Sequence, residues 1–214
     1  MLGRILAGAA ILFASITALA SDGHDHKEAP IADMSKSYKL IAQPQAVPAN
    51  GKVHIEEMFW YGCGHCFSLE GHVESWISKL PADVEFSRIP AMFGKSWVMH
   101  AQMYYIGETL GITEQSHGDI FKAIHMKGQR LQRKSEQQKF FAAYGVSEED
   151  FNKAYSSFTV KSRLKQADKR VRAYKISGVP AIVVNGKYLV DAASAGGQQN
   201  IFKVVDYLIE QERK

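Results

Sequence analysis

Three stretches of the chain carry the spacing of apolar residues that is typical of β-strands. The run "KVHIEEMFW" (52–60) is rich in β-branched and aromatic residues, and "DVEFSRI" (83–89) alternates apolar with polar positions. The third stretch, "PAIVVNGKYLV" (180–190), predicts a hairpin with Asn185-Gly186 as its turn, because this dipeptide favours two-residue turns. The chain is therefore expected to contain a β-sheet.

Apolar residues at helical spacing fill most of the remaining chain. A helix is predicted directly after the first strand, ending at Pro81, with apolar positions at Leu69, Val73, Trp76, Ile77 and Leu80. Further helices are predicted over 96–111, 117–128, 135–145, 147–158, 159–177 and 198–214. Roughly ninety residues separate the second strand from the hairpin, far more than one crossover helix needs. The pattern therefore predicts an α/β fold with an inserted all-helical subdomain.

The first twenty residues have the pattern of an export signal. A basic residue is followed by the apolar run "ILAGAAILFASITALA", which ends in Ala-Leu-Ala at 18–20. This pattern predicts a secretory signal peptide that is cleaved after Ala20. The run contains Ser15 and Thr17 and is shorter than the roughly 20 strongly apolar residues of a spanning helix, which disfavours a membrane anchor.

The same patterns divide the chain into five segments. They are a signal peptide (1–20), a flexible N-terminal segment (21–36), the first part of an α/β domain (37–95), an inserted helical subdomain (96–160), and a connecting helix with the second part of the α/β domain (161–214).

Composition and charge narrow the possible partners. Without the one basic residue of the signal peptide, 25 of the 26 basic residues remain against 22 acidic residues, so the mature chain has a net charge of +3. This charge is too small to indicate nucleic-acid binding. The seven basic residues from Lys161 to Lys175 lie outside the apolar stripe of their predicted helix. This position favours a solvent-exposed helix face over a binding surface for an anionic partner. The sequence contains no coiled-coil heptads that would indicate self-assembly, so a monomer is expected.

The two cysteines, Cys63 and Cys66, could form a structural staple, part of a metal site or a redox pair. A Cys-x-x-Cys bridge closes so small a loop that it would stabilise the fold very little. A zinc site needs four ligands, and the further candidates would be His24, His26 and His72. These considerations disfavour the first two interpretations, and no metal or cofactor is expected.

A redox pair requires the first cysteine to lie at a helix start, where free N–H groups and the helix dipole favour the thiolate. The flanking sequence meets this requirement. A predicted strand is followed by a break at Tyr61-Gly62, then by the cysteines and the predicted helix. Strand, turn, Cys-x-x-Cys and helix is the thioredoxin arrangement.

A second motif, Gly178-Val179-Pro180, stands just before the hairpin. It could be an ordinary proline that opens a strand. Alternatively, a cis-proline that faces the cysteines would leave backbone groups free to pair with an extended peptide.

The chain resembles the periplasmic DsbA-type thiol:disulfide oxidoreductases over roughly 37–213. The resemblance rests on "EEMFWYGCGHC", the helical insertion and "SGVPAIVVNGKY". It implies a thioredoxin fold interrupted by a helical domain. It also implies donation of a disulfide to unfolded or newly exported cysteine-containing proteins, and reoxidation by a quinone-linked membrane partner of the DsbB type.

The resemblance also implies roles for individual residues. Cys63 matches the sulfur that exchanges with substrate, Cys66 the buried resolving thiol, and His65 the intervening residue that stabilises the Cys63 thiolate. The usual family dipeptide is Pro-His, whereas here it is Gly64-His65, the dipeptide of protein disulfide isomerases. This departure leaves the redox potential open.

Further from the cysteines, Val179 and Pro180 match the cis-proline loop that contacts substrate. Glu57 matches a buried acid beneath the active site, which would tune the thiol pKa values. Alternation alone leaves open whether Glu57 or its neighbour Glu56 points inward.

Two alternative functions remain. One is a disulfide isomerase or reductase of the same fold. Against it, the segment before Lys39 is too short for a dimerisation domain, and Gly62 stands where reductases of cytochrome maturation usually have Trp. The other is a metal-binding module that uses Cys63 and Cys66.

Overall fold

The computed structural model describes residues 33–214. The predicted signal peptide (1–20) and residues 21–32 of the predicted flexible segment lie outside the described residues. The last residues of that segment are described, and Met34–Lys36 form a 3-10 turn capped by the Asp33 side chain. No helix within residues 33–214 is long and apolar enough to cross a membrane.

The described chain contains five strands and seven α-helices. The strands are β1 (Lys39–Leu40), β2 (Val53–Phe59), β3 (Val84–Pro90), β4 (Ala181–Val184) and β5 (Tyr188–Asp191). The helices are α1 (Gly64–Ile77), α2 (Lys95–Leu110), α3 (Thr113–His125), α4 (Lys134–Ala142), α5 (Glu148–Ser156), α6 (Phe158–Ala173) and α7 (Ile201–Glu212). A 3-10 turn at Gln198–Asn200 precedes α7.

The strands form one sheet in the order β1-β5-β4-β2-β3. Strand β2 runs parallel to β3 and antiparallel to β4, and every residue of β2 is buried. Helices α1 and α7 pack on one face of the sheet, and α6 packs on the other. Strand β2 is therefore covered on both faces, so its polar residues His54, Glu56 and Glu57 are buried together with its apolar ones.

Helices α2 to α5 lie between β3 and α6 in the chain and have an aromatic core of their own. Its buried residues include Met103, Ile106, Phe121, Phe141 and Phe151. Phe59, Tyr61 and Cys66 of the sheet domain belong to the same apolar cluster. The inserted helices therefore pack directly against the segment that carries the cysteines.

Several element boundaries differ from the sequence predictions. Helix α3 begins at Thr113 and not at residue 117. The sequence pattern missed its first turn, "TEQS", because this turn contains no apolar residue. Its Ser116 is nevertheless buried, and Gly107 of α2 allows it to approach closely. Helix α1 ends at Ile77, and the residues that follow it form a turn before Pro81.

The hairpin turns at the predicted dipeptide, and Asn185 and Gly186 both have positive φ. The Lys187 N–H donates to the Val184 carbonyl (3.0 Å), which closes the turn. Pairing resumes with Tyr188 opposite Val184, so Lys187 is an extra residue in the returning strand.

Candidate active site

Cys63 is the N-cap residue of α1. The residues before it form a tight turn, in which the Cys63 N–H donates to the Trp60 carbonyl (2.9 Å). The Cys66 N–H in the first helical turn donates to the Cys63 sulfur at 3.3 Å. Cys63 is half-buried and Cys66 is completely buried, and both are free thiols. An incoming sulfur can therefore reach Cys63 more readily than Cys66.

The two thiols have opposite electrostatic environments. Hydrogen bonding from the Cys66 thiol, helped by the backbone N–H groups and charge of the first turn, outweighs partial burial and lowers the pKa of Cys63 to about 6. The same interaction, together with burial, raises the pKa of Cys66. Near neutral pH the pair therefore holds one thiolate, and it is on Cys63.

The two residues between the cysteines are exposed. The His65 carbonyl accepts a hydrogen bond from Gln198 Nε2 (2.9 Å), which ties the helix start to the segment before α7. A Cβ atom at Gly64 would meet nothing within 4 Å, so packing does not require glycine there.

Gly62 is constrained far more strongly than Gly64. A Cβ atom at Gly62 would lie 2.3 Å from the Trp60 ring, which is an impossible approach. The Trp60 ring is held in place by stacking on Trp97, with centroids 4.0 Å apart and planes within 8°. Glycine is therefore the residue that lets the chain pass beneath Trp60 to reach Cys63.

The Val179–Pro180 loop lies beside Cys63. Its peptide bond is cis, and the Cys63 thiol donates to the Val179 carbonyl at 3.5 Å. A groove of about 440 Å³ extends from this loop. We call it the Pro180 groove; its lining residues include His65, Lys175, Ile176, Val179, Pro180, Leu189 and Asp191.

Both glutamates of β2 are buried, on opposite faces of the sheet. Glu56 pairs with Arg170 of α6 at 2.9 Å and accepts from the Tyr174 hydroxyl. Glu57 lies on the face covered by α1 and accepts from Arg88 Nε at 3.2 Å. Burial outweighs the attraction of Arg88 and raises the pKa of Glu57 to about 7.

Helix α3 of the insertion contacts the cysteine segment through one stripe of residues. His117, Phe121 and His125 lie at four-residue intervals on this helix. His117 Nδ1 is 2.7 Å from the Tyr61 hydroxyl, and His125 Nε2 donates to the Tyr61 carbonyl at 2.8 Å. Phe121 packs between them, with its ring centroid 4.9 Å from that of Tyr61. Two side chains of the insertion thus hold the residue two positions before Cys63.

Comparison with known proteins identifies the family. Residues 80–208 match the family described as "DSBA-like thioredoxin domain", a span that begins after the cysteine pair. Across the whole chain, the sequence is 43% identical to the thiol:disulfide interchange protein DsbA of Azotobacter vinelandii, covering 97% of that protein. The chain belongs to the DsbA family.

Solved structures of the DsbA family have the same fold. The crystal structure of Pseudomonas aeruginosa DsbA matches with a TM-score of 0.79 at 43% identity, covering 84% of this chain and 93% of that one. DsbA from Xylella fastidiosa matches with a TM-score of 0.77 at 31% identity, covering 82% of this chain and 95% of that one. The expected thioredoxin fold with a helical insertion is confirmed.

Sequence reasoning missed the ionic cluster behind the cysteines of this DsbA-family chain. Besides Glu57, Arg88 pairs with Glu70 at 2.9 Å and with Glu74 at 2.5 Å. His117 Nε2 lies 3.3 Å from Glu70 Oε1, which is a polar contact but not a well-formed hydrogen bond. Burial opposes the charge on Glu70, but His117 and Arg88 outweigh it and lower the pKa of Glu70. The four-residue spacing of the two glutamates on α1 was the only signal in the sequence.

The described part of the chain contains no set of side chains that could hold a metal ion. Among residues 33–214, no three His, Cys, Asp or Glu side chains are grouped as metal ligands would be. His72, one of the candidates, is exposed on α1, and His24 and His26 lie outside the described residues.

Proposed function

We propose that this DsbA-family thiol:disulfide oxidoreductase donates its Cys63–Cys66 disulfide to newly exported proteins. The observation that carries the proposal is the asymmetry of the two thiols at the start of α1. Cys63 is accessible and has a lowered pKa, whereas Cys66 is buried and has a raised one. A thiol with a low pKa is a good leaving group, so it passes its disulfide to a substrate readily.

The exchange takes two steps. A substrate thiolate attacks the Cys63 sulfur of the oxidised protein, a substrate–Cys63 disulfide forms, and the Cys63–Cys66 bond breaks with its electron pair leaving on Cys66, which takes up a proton. A second substrate thiolate then attacks the substrate sulfur of this mixed disulfide, and Cys63 leaves as the thiolate. The substrate dithiol has lost two electrons to the protein disulfide, so no cofactor is required.

The surrounding residues have distinct roles in this proposal. The Val179 carbonyl is close enough to Cys63 for the cis-proline loop to align an extended substrate strand beside the reacting sulfur. His65 and the backbone after Gly64 stabilise the Cys63 thiolate. Glu57, beneath the cysteines and with a pKa of about 7, tunes the charge felt by Cys66.

The cellular setting is part of the same proposal. The chain acts in the periplasm after removal of residues 1–20. Disulfides persist in that compartment, so the proposed exchange can take place there. A membrane protein of the DsbB type, linked to quinones, takes the electrons from reduced Cys63 and Cys66. The protein works as a monomer, and its segments are those proposed above: 37–95 and 161–214 for the thioredoxin-like domain and 96–160 for the helical insertion.

Equilibration of the purified protein with graded glutathione buffers tests the direction of exchange. Thioredoxin-fold proteins spread over roughly 150 mV, and we expect a potential at the oxidising end of that range. A potential at the reducing end would favour the reductase or isomerase alternative. Metal content, measured on protein purified without chelator, separates the metal-binding alternative from both.

A further inference from the structure

The Pro180 groove has an uneven distribution of charge. Of its charged lining residues, Lys39 and Asp191 form an ion pair at 2.6 Å and neutralise each other. Lys175 lines the same groove, is exposed, and has no ion-pair partner among residues 33–214. His65 is the remaining titratable residue of the lining. Beside an otherwise largely apolar surface, Lys175 therefore contributes a positive charge that no acidic side chain of the groove pairs with.

The backbone at Lys175 makes the presence of lysine there unexpected. Lys175 follows the last turn of α6 and has φ of +54°, in the left-handed region. The Lys175 N–H donates to the Arg172 carbonyl (3.0 Å) and the Ile176 N–H to the Val171 carbonyl (3.1 Å). This is the Schellman pattern of helix termination, and glycine is the preferred residue at its left-handed position because any Cβ there is strained.

The chain uses glycine at comparable positions elsewhere. Gly111, which follows α2, and Gly145, which lies three residues beyond the end of α4, have φ of +70° and +77°. Lysine at position 175 thus costs stability that glycine would not. A strained residue that lines a binding groove is a reason to look for a role in binding.

We propose that Lys175 makes the Pro180 groove select substrate polypeptides with an Asp or Glu side chain close to the reacting cysteine. This inference rests on the proposed function, because it names the class of substrate that the groove prefers. Val179, whose carbonyl contacts the Cys63 sulfur, lines the same groove as Lys175. A substrate strand beside Val179 therefore brings the residues that flank its cysteine near the ammonium group.

The test measures the second-order rate constant for oxidation of two-cysteine peptides by the oxidised full-length mature protein. Peptides differ only in carrying Glu, Gln or Lys at one position, scanned over the four residues on each side of the first cysteine. Since acidic neighbours also change the reactivity of the peptide thiol itself, each Glu/Gln rate ratio is compared between the parent protein and its variants. Intrinsic peptide effects then cancel.

We expect the parent protein to favour Glu over Gln by about two- to fivefold at one or two positions, as exposed ion pairs allow. Lys175→Gln should remove this preference for the Glu peptide, and Lys175→Glu should make the protein favour the Lys peptide instead. The preference should disappear at about 1 M salt, where charges are screened within about 3 Å. Lys165→Gln is the matched control, because it removes the same charge about 15 Å away along α6 and should leave the ratios unchanged.

Lys175→Gly separates selection from folding. Glycine relieves the left-handed strain, so the melting temperature should rise by about 2 °C while the Glu preference is lost. Lys175→Gln should lose the preference with no change in melting temperature.

Three results would overturn the inference: equal Glu/Gln ratios in the parent and Lys175→Gln proteins, equal loss in Lys165→Gln, or a preference that persists at high salt. Oxidation of the Gln peptide by the parent protein would show that the proposed function stands even then. Failure of the parent protein to oxidise any peptide would instead overturn the proposed function itself.

Discussion

His125 Nε2 donates a hydrogen bond to the Tyr61 carbonyl at 2.8 Å, across 64 residues of sequence. The His125 ring also lies flat on Phe67, with centroids 4.8 Å apart and planes within 5°. Tyr61 precedes Cys63 by two residues, and Phe67 follows Cys66 directly. A single side chain of the helical insertion therefore contacts both sides of the cysteine motif.

This contact predicts that His125 helps to place Cys63 at the start of α1. His125→Phe keeps an aromatic ring on Phe67 but leaves the Tyr61 carbonyl without its donor, which should lower the free energy of unfolding by about 1 kcal/mol. The pKa of Cys63 should move upward from about 6 toward its ordinary value of 9.0. Thiolate absorbance in the ultraviolet measures this pKa, and urea unfolding measures the stability.

His125→Gln is the matched variant, because its side-chain amide can still donate. If both variants change stability alike and neither moves the pKa of Cys63, His125 has a structural role only.

The cysteines themselves should have unequal importance. Cys63→Ala is expected to abolish oxidation of substrate dithiols, whereas Cys66→Ala should accumulate mixed disulfides through Cys63, since the buried thiol that resolves them is absent. Each variant is incubated with a reduced client protein and oxidised glutathione, which first forms a glutathione–Cys63 disulfide that a client thiolate can attack to release glutathione. Non-reducing electrophoresis of the products then distinguishes the two variants. Full turnover by Cys63→Ala would refute the assigned roles.

Stability of the reduced protein should depend on pH through Cys63. Its pKa is lowered from 9.0 to about 6 in the folded protein, so the folded state favours the thiolate. The stabilisation is fully present above the unfolded pKa and is lost as the pH falls through about 6. The oxidised protein has no thiol to titrate, and the reduced-minus-oxidised difference in unfolding free energy should therefore grow between pH 6 and 9.

Urea unfolding of both redox forms at pH 5.5 and pH 8.5 measures this difference. A larger stability of the reduced state is the property for which DsbA is a standard example, so it is expected from the family as well as from Cys63. A difference that does not change with pH would mean that the Cys63 thiolate is not stabilised by folding.

Glu57 should affect stability in the opposite sense. Its pKa is raised from 4.5 to about 7, so the folded state favours the protonated carboxyl, and stability falls as the pH rises through that interval. Glu57→Gln cannot ionise and should escape this loss, gaining stability relative to the parent protein by on the order of 3 kcal/mol between pH 4.5 and pH 8. Parallel stability curves for the two proteins in the oxidised state would contradict the raised pKa.

Gly62 and Gly64 form a matched pair on either side of Cys63. Gly62→Ala forces a methyl group into the Trp60 ring and should cost about 1–3 kcal/mol of stability, because that ring is held by its stack on Trp97. Gly64→Ala meets open space and should change stability by less than about 0.5 kcal/mol. Urea unfolding of the two variants compares them, and equal effects would rule out the steric account.

Most of the fold and the position of the cysteine pair at a helix start could be predicted from the sequence because the signals are local. The strand, break, Cys-x-x-Cys and helix that place Cys63 as an N-cap lie within 30 residues, and the periods of apolar residues mark α1, α2 and the hairpin directly. The departures occurred where local pattern is weak, as in the polar first turn of α3 and the two-residue strand β1, which exists only because it pairs with β5.

The tertiary structure decided what surrounds the two cysteines. Alternation offered a choice between Glu56 and Glu57, but both are buried, because β2 is covered by helices on both faces and each carboxylate meets its own arginine. The contacts of Cys63 with Val179 and of Tyr61 with His117 and His125 span 116, 56 and 64 residues. The sequence by itself determined that the two cysteines lie at the start of a helix, because helix starts and strand periods are encoded over a few neighbouring positions. The environment of the cysteines depends on side chains from distant segments that meet only when the insertion packs against the sheet.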